Sequence, residues 1–113
     1  MAVRDRRELN NRLQSVLLHF LKWQAQPRKR GASWRKSLRT QRRHIRDLLQ
    51  LSPSLRAQVP ALMRQSYPEA IEDAVDETGL PSDRFPPDCP YAPNQVLAED
   101  YLPEEEFGSR ADA

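Results

Sequence analysis

The chain has 113 residues, 38% of them hydrophobic and 30% charged, with three glycines, ten prolines and a net charge of +2. That length supports one domain with a modest core and no need for staples. The single cysteine, Cys89, excludes an internal disulfide framework and fits a reducing compartment. The longest apolar run near the start, Val16-Leu17-Leu18, is cut by His19, so neither a secretory signal nor a membrane span is read here. These features predict a cytoplasmic protein.

The first element in chain order is a helix from Arg4 to Gln26. Leu9, Leu13, Val16, Leu17, Phe20 and Leu21 recur at three- and four-residue intervals, the helical period. With Trp23 they cover an arc of roughly 160°, wider than a helix facing one neighbour requires. The helix therefore calls for neighbours on two sides. Pro27 and the basic turn Arg28-Lys29-Arg30-Gly31 end it.

A second helix is predicted from Trp34 to Leu51 with Ser33 as its N-cap, and Trp34, Leu38, Ile45, Leu48 and Leu49 as its apolar stripe. Arg35, Arg39, Arg42 and Arg46 fall within about 60° of one another beside that stripe. They flank the core rather than oppose it, and long arginine stems can lie over apolar surface.

Ser52-Pro53 is a start signal for the next helical region, which carries the apolar period from Leu55 to Val75 and ends at Thr78-Gly79. Pro60 and Pro68 fall inside it, and a proline removes a backbone donor and kinks or breaks a helix. Two or three segments are expected. Glu69, Glu72, Asp73 and Asp76 form an acidic stripe nearly opposite the apolar face, pointing at water or at a partner.

From Leu80 onward, six prolines punctuate the chain, with a short helix predicted over Asn94 to Glu99. Phe85, Tyr91, Val96, Leu97, Tyr101 and Leu102 are spaced as anchors that strap an extended segment over the helices. The reading is all-α: a bundle of three to four helices with a proline-rich C-terminal strap. It forms one domain over residues 1–103, followed by a disordered acidic tail over 104–113.

Charge divides the chain. Residues 1–56 carry 15 of the 18 basic residues and only Asp5, Glu8 and Asp47 as acids. Residues 57–113 carry 13 acids against Arg64, Arg84 and Arg110. Such asymmetry marks pairing between halves, an acidic tail or contact with nucleic acid.

Several short stretches, in this order, resemble a known family: His19-Phe20-Leu21-Lys22-Trp23-Gln24, Ser33-Trp34, Gln41-Arg42, Ser52-Pro53-Ser54-Leu55, Glu77-Thr78-Gly79-Leu80, Phe85-Pro86, Cys89-Pro90-Tyr91 and Leu102-Pro103. Together they resemble the Domain of Unknown Function 29 family, small helical bacterial proteins abundant in cyanobacteria. The resemblance covers about residues 5–103 and implies a helical bundle, with no reaction and no catalytic residues to carry over. It also implies an additional N-terminal helical segment that this chain lacks, leaving a groove along the first helix for a second copy or another protein.

No constellation carries chemistry. His19, Trp23 and Arg12 share one side of the first helix, where a small pocket competes with a structural packing role. His44 sits among arginines and is read as surface. Two histidines and one cysteine give no metal-ligand spacing. Cys89 lies between Asp88 and Pro90, and the adjacent carboxylate disfavours a thiolate. No catalytic, cofactor or metal residue is assigned, no cofactor is expected, and nothing in the sequence argues for an enzyme without excluding one. The expected function is a protein-interaction module that docks another protein or a second copy of itself, with no membrane partner. Trp23, Trp34, Arg35, Arg39, Arg42 and Arg46 are its docking residues. The alternative is a nucleic-acid-binding protein that uses the arginine stripe, since phosphate contacts need only cations on a common face.

Overall fold

The computed structural model describes residues 3–103, and every regular element among them is helical. Helix α1 spans Val3–Ala25, α2 spans Ala32–Leu51, α3 spans Val59–Thr78 and α4 is a short helix at Pro93–Leu97. Single 3-10 turns lie at Pro27–Lys29 and Ser82–Arg84, and a longer one at Pro53–Gln58 leads into α3. An all-α bundle with a proline-rich strap is thus the observed architecture.

Helix α1 is the axis. Leu9, Leu13, Val16, Leu17, Phe20 and Leu21 are all fully buried. The wide stripe is filled because α3 packs along one side and α2 along the other, while α4 closes over the end. Burying six large side chains completely contributes about 1.5–3 kcal/mol each, so α1 supplies much of the hydrophobic stabilisation. Beside this filled stripe, a cleft of about 320 Å³ opens between α1 and α3, lined by Arg6, Arg7, Asn10, Leu62 and Gln65. The strap and the two flanking helices cover the stripe itself.

Helix α2 begins one turn's fraction earlier than its serine suggests. Gly31 occupies the cap position in an extended conformation, its carbonyl accepting from Arg35 N at 3.2 Å, and Ser33 lies inside the helix. Ser52 also departs from the capping role. Its hydroxyl lies 3.3 Å from Asp5 Oδ2 on α1, so it ties two elements together instead of closing its own turn.

The prolines of the third region act unequally. Pro60 sits in the first turn of α3, a position where proline is tolerated. Pro68 lies inside α3, which nevertheless runs unbroken to Thr78. Pro68 and Arg64, whose carbonyl loses its helical donor, are both exposed residues on the outer side of α3. The buried Met63, Tyr67, Ala70 and Ala74 hold the helix on either side. Gly79 ends it at φ 75°, a left-handed position suited to glycine, and donates to Val75 O at 2.9 Å.

The strap is anchored by the residues its spacing singled out. Phe85, Tyr91 and Val96 are buried, and Leu97, Tyr101 and Leu102 pack partly buried against the same core. Tyr91 and Tyr101 meet the Phe20 ring edge-on, with centroids 5.0 and 5.8 Å away. The Tyr67 hydroxyl donates to Pro86 O at 2.7 Å, and that of Tyr91 to Gln24 Oε1. The expected tail over 104–113 lies outside the described residues.

Candidate interaction face on the second helix

The six docking residues read from the sequence do not form one surface. Trp23 is buried, capped by the guanidinium of Arg30 at 5.0 Å and that of Arg35 at 5.6 Å from its ring. Arg30 Nε also donates to Trp23 O at 2.6 Å, pinning the basic turn to the end of α1. Trp34 is half-buried beneath the ammonium of Lys22, 5.0 Å from its ring, while Lys22 reaches Glu77 on α3 at 2.7 Å. Both indoles are thus held by cations of the same fold.

Arg42 has turned inward. Counting about 100° per residue, it lies roughly 40° from Leu38, the nearest of the four arginines to the centre of the buried stripe. It is 3% exposed, its guanidinium 5.0 Å from the Phe20 ring. Nε donates to Val96 O at 3.1 Å and Nη2 to Gln95 O at 2.9 Å. These carbonyls close α4, whose last turn has no helical donors of its own, so Arg42 serves as a C-cap delivered from another helix. Burial pulls its pKa down to about 10, with Asp100 opposing that shift and Arg46 adding to it. Arg42 belongs to the fold, and its place among docking residues is corrected accordingly.

Arg35 and Arg39 remain exposed, as do Lys36 and Arg43 on the same helix, while Arg46 is half-buried. Among the described residues none of these five makes an ion pair. They form the basic outer face of α2, continued by the exposed Arg28 and Lys29 of the preceding turn. The acids of α3 stand elsewhere: Glu69, Glu72 and Asp76 are exposed, and Asp73 accepts from Gln14 Nε2 at 3.0 Å. Because α2 and α3 each pack on α1 with little direct contact between them, the two charged faces are held apart.

A cleft of about 150 Å³ opens where α2 meets the strap, lined by Arg35, Leu38, Arg39, Arg42, Glu99, Asp100 and Leu102. Glu99 and Asp100 were missed by reading the sequence. The available signal was an acidic pair directly after a short helix, facing no apolar period of its own.

The remaining sequence candidates resolve to structural roles. His19 Nδ1 lies 2.7 Å from Ser15 O within its own helix, and Arg12 donates to Gln41 on α2 at 3.1 Å, so the two are not gathered with Trp23. His44 is half-buried rather than fully on the surface. Burial pushes the Cys89 thiol up, away from a thiolate, and Sγ lies 3.7 Å from Tyr91 O. Among the described residues no group of three or more His, Cys, Asp or Glu side chains could hold a metal ion, and no helix is long and apolar enough to cross a membrane.

Against known proteins, the model of the family described as domain of unknown function DUF29 matches residues 1–102 of the chain, which belongs to that family. No curated protein and no solved structure matches it.

Proposed function

We propose that this DUF29 member is a non-enzymatic protein-interaction module that docks an acidic partner on the basic outer face of α2. The observation that carries this reading is the separation of charge. Arg35, Lys36, Arg39 and Arg43 stand exposed without ion-pair partners among the described residues, while the exposed acids of α3 lie across α1 from them. Exposed cations with no ion-pair partner among the described residues steer an oppositely charged surface and fix its register. A cytoplasmic setting belongs to the proposal, in keeping with a lone free thiol at Cys89.

A row of cations also suits phosphates, so the test sets the two partners side by side. Fluorescence anisotropy is read for a labelled peptide of alternating glutamate and leucine, and for labelled mixed-sequence DNA and RNA. Each is titrated at about 50 and about 200 mM salt, between which phosphate-driven affinity falls by orders of magnitude. Peptide binding that disappears in the triple variant Lys36→Glu, Arg39→Glu, Arg43→Glu, with melting unchanged, supports the proposal. Nucleic-acid binding with a steep salt slope and no peptide binding replaces it with the phosphate reading. Binding of neither probe removes the face from consideration.

A further inference from the structure

The basic face of α2 and the acidic face of α3 carry the same pattern. We propose that they are the two halves of one interface, and that the acidic surface docked on α2 is the α3 face of a second copy of this chain. Lys36, Arg39 and Arg43 of one copy pair with Glu69, Glu72 and Asp76 of the next. This rests on the docking face proposed above and names what covers it.

The first observation is the spacing. From Lys36 the cations of α2 follow at three and then four residues, and from Glu69 the acids of α3 follow at three and then four. On a helix either triad lies within about 60° of arc and spans about 10.5 Å along the axis. With the two helices side by side and parallel, each cation meets an acid in one register. Turned antiparallel, the middle pair falls about 1.5 Å out of step.

Second, all six residues are exposed, and none makes an ion pair among the described residues. The neighbouring acids of α3 are the ones already engaged, Asp73 with Gln14 and Glu77 with Lys22 of α1. The three acids that match α2 are left outward.

Third, a single copy does not bring its own triads into register. Helix α2 runs against α1, with Trp34 beside Lys22 and Ser52 beside Asp5. Helix α3 runs with α1, with Asp73 beside Gln14 and Glu77 beside Lys22. Within one copy α2 and α3 are therefore antiparallel and have little direct contact, whereas the triads match in parallel. A second copy turned end over end supplies the parallel partner, in a heterologous pairing of unlike faces. A net charge of only +2 means that two copies meet little overall repulsion as they approach. Exposed ion pairs are individually weak and screened by salt, so the association is weak and sensitive to ionic strength.

The experiment is sedimentation velocity on the full chain from about 10 µM to about 1 mM, the range of weak association. It is run at about 50 and about 300 mM salt, where screening lengths are about 14 and about 6 Å. The average sedimentation coefficient is expected to rise with concentration at the lower salt and to stay at the monomer value at the higher. The variant Glu69→Gln, Glu72→Gln, Asp76→Asn is expected to remain monomeric, yet to bind the glutamate–leucine peptide as the native chain does. Reversing α3 alone (Glu69→Lys, Glu72→Lys, Asp76→Lys) or α2 alone (Lys36→Glu, Arg39→Glu, Arg43→Glu) should abolish association, and a chain carrying both reversals should associate again. A merely structural role for these residues would not produce that rescue. Thermal melting by circular dichroism verifies that each variant is folded. Three results overturn the proposal: a native chain that stays monomeric at low salt, association unchanged by neutralising the α3 triad, or a folded double reversal that does not associate. Peptide binding by a native chain that stays monomeric overturns self-pairing alone and leaves the docking face standing, whereas loss of both removes the two together.

Discussion

Replacing Arg42 with alanine tests whether a buried cation, rather than apolar contact alone, holds the strap on the bundle. The change removes two charge-assisted hydrogen bonds, to Val96 O and Gln95 O, and a cation–ring contact with Phe20. Hydrogen bonds to charged groups contribute about 1.5–3 kcal/mol each, and the change leaves buried carbonyls without donors. Against this, alanine no longer bears the cost of burying a guanidinium, so we take the lower end of that range and expect a net loss of about 3 kcal/mol. For a chain of this length the unfolding entropy is about 0.24 kcal/mol/K, so melting falls by about 12 °C. Arg39→Ala, one turn away and exposed, should stay within about 0.5 kcal/mol of the native chain. Arg42→Lys keeps the charge but lacks the planar fork that spans two carbonyls, and should fall between them. Urea and thermal unfolding followed by circular dichroism give these values, and hydrogen exchange of the strap amides reports where the loss acts. An Arg42→Ala variant as stable as Arg39→Ala would refute the capping role.

Pro68→Ala should stabilise the protein. A proline costs about 3 kcal/mol in a helix interior, and roughly 1 kcal/mol of that returns through the stiffer unfolded chain, so a gain of about 2 kcal/mol is expected by urea unfolding. A loss instead would mean that a bend at Pro68 is needed to seat Tyr67 and Ala70. The buried phenols predict sensitivity to alkali. Burial raises the pKa values of Tyr67 and Tyr91 above their ordinary value near 10, so the folded state keeps protons that the unfolded chain releases. Their contribution is fully present below pH 10 and falls as pH rises beyond it. Urea midpoints between pH 8 and about 11.5 should decline more gently in the double variant Tyr67→Phe, Tyr91→Phe, and an unchanged decline would count against the assignment.

The elements were legible because their signals are local. The period of Leu9 through Leu21 placed α1 to within a residue at either end, and Gly79 marked the end of α3 through its own backbone freedom. The anchors of the strap were equally readable, since isolated large apolar residues among prolines have nowhere to go but the core. The sequence signal misled where a residue had two partners to choose from. Ser33 and Ser52 looked like caps, yet Gly31 supplies one terminus and the hydroxyl of Ser52 turns to Asp5.

The candidate site shows the same division more sharply. Four arginines at helical spacing were visible as a stripe, but their spacing does not say which of them faces a neighbouring helix, the strap or water. Arg42 was drawn inside because α4 presents two unsatisfied carbonyls at its level, an acceptor pair contributed from more than fifty residues away. Which neighbours would fill the wide stripe of α1 was likewise settled only by packing, with α2 and α3 on its two sides. By itself the sequence determined the helices, their apolar faces and the imbalance of charge along the chain, all of which follow from neighbours within a turn or two. Only the tertiary structure decided which charges are buried, which stand apart, and where opposite charges share a cleft, because those outcomes depend on partners that the chain brings together only on folding.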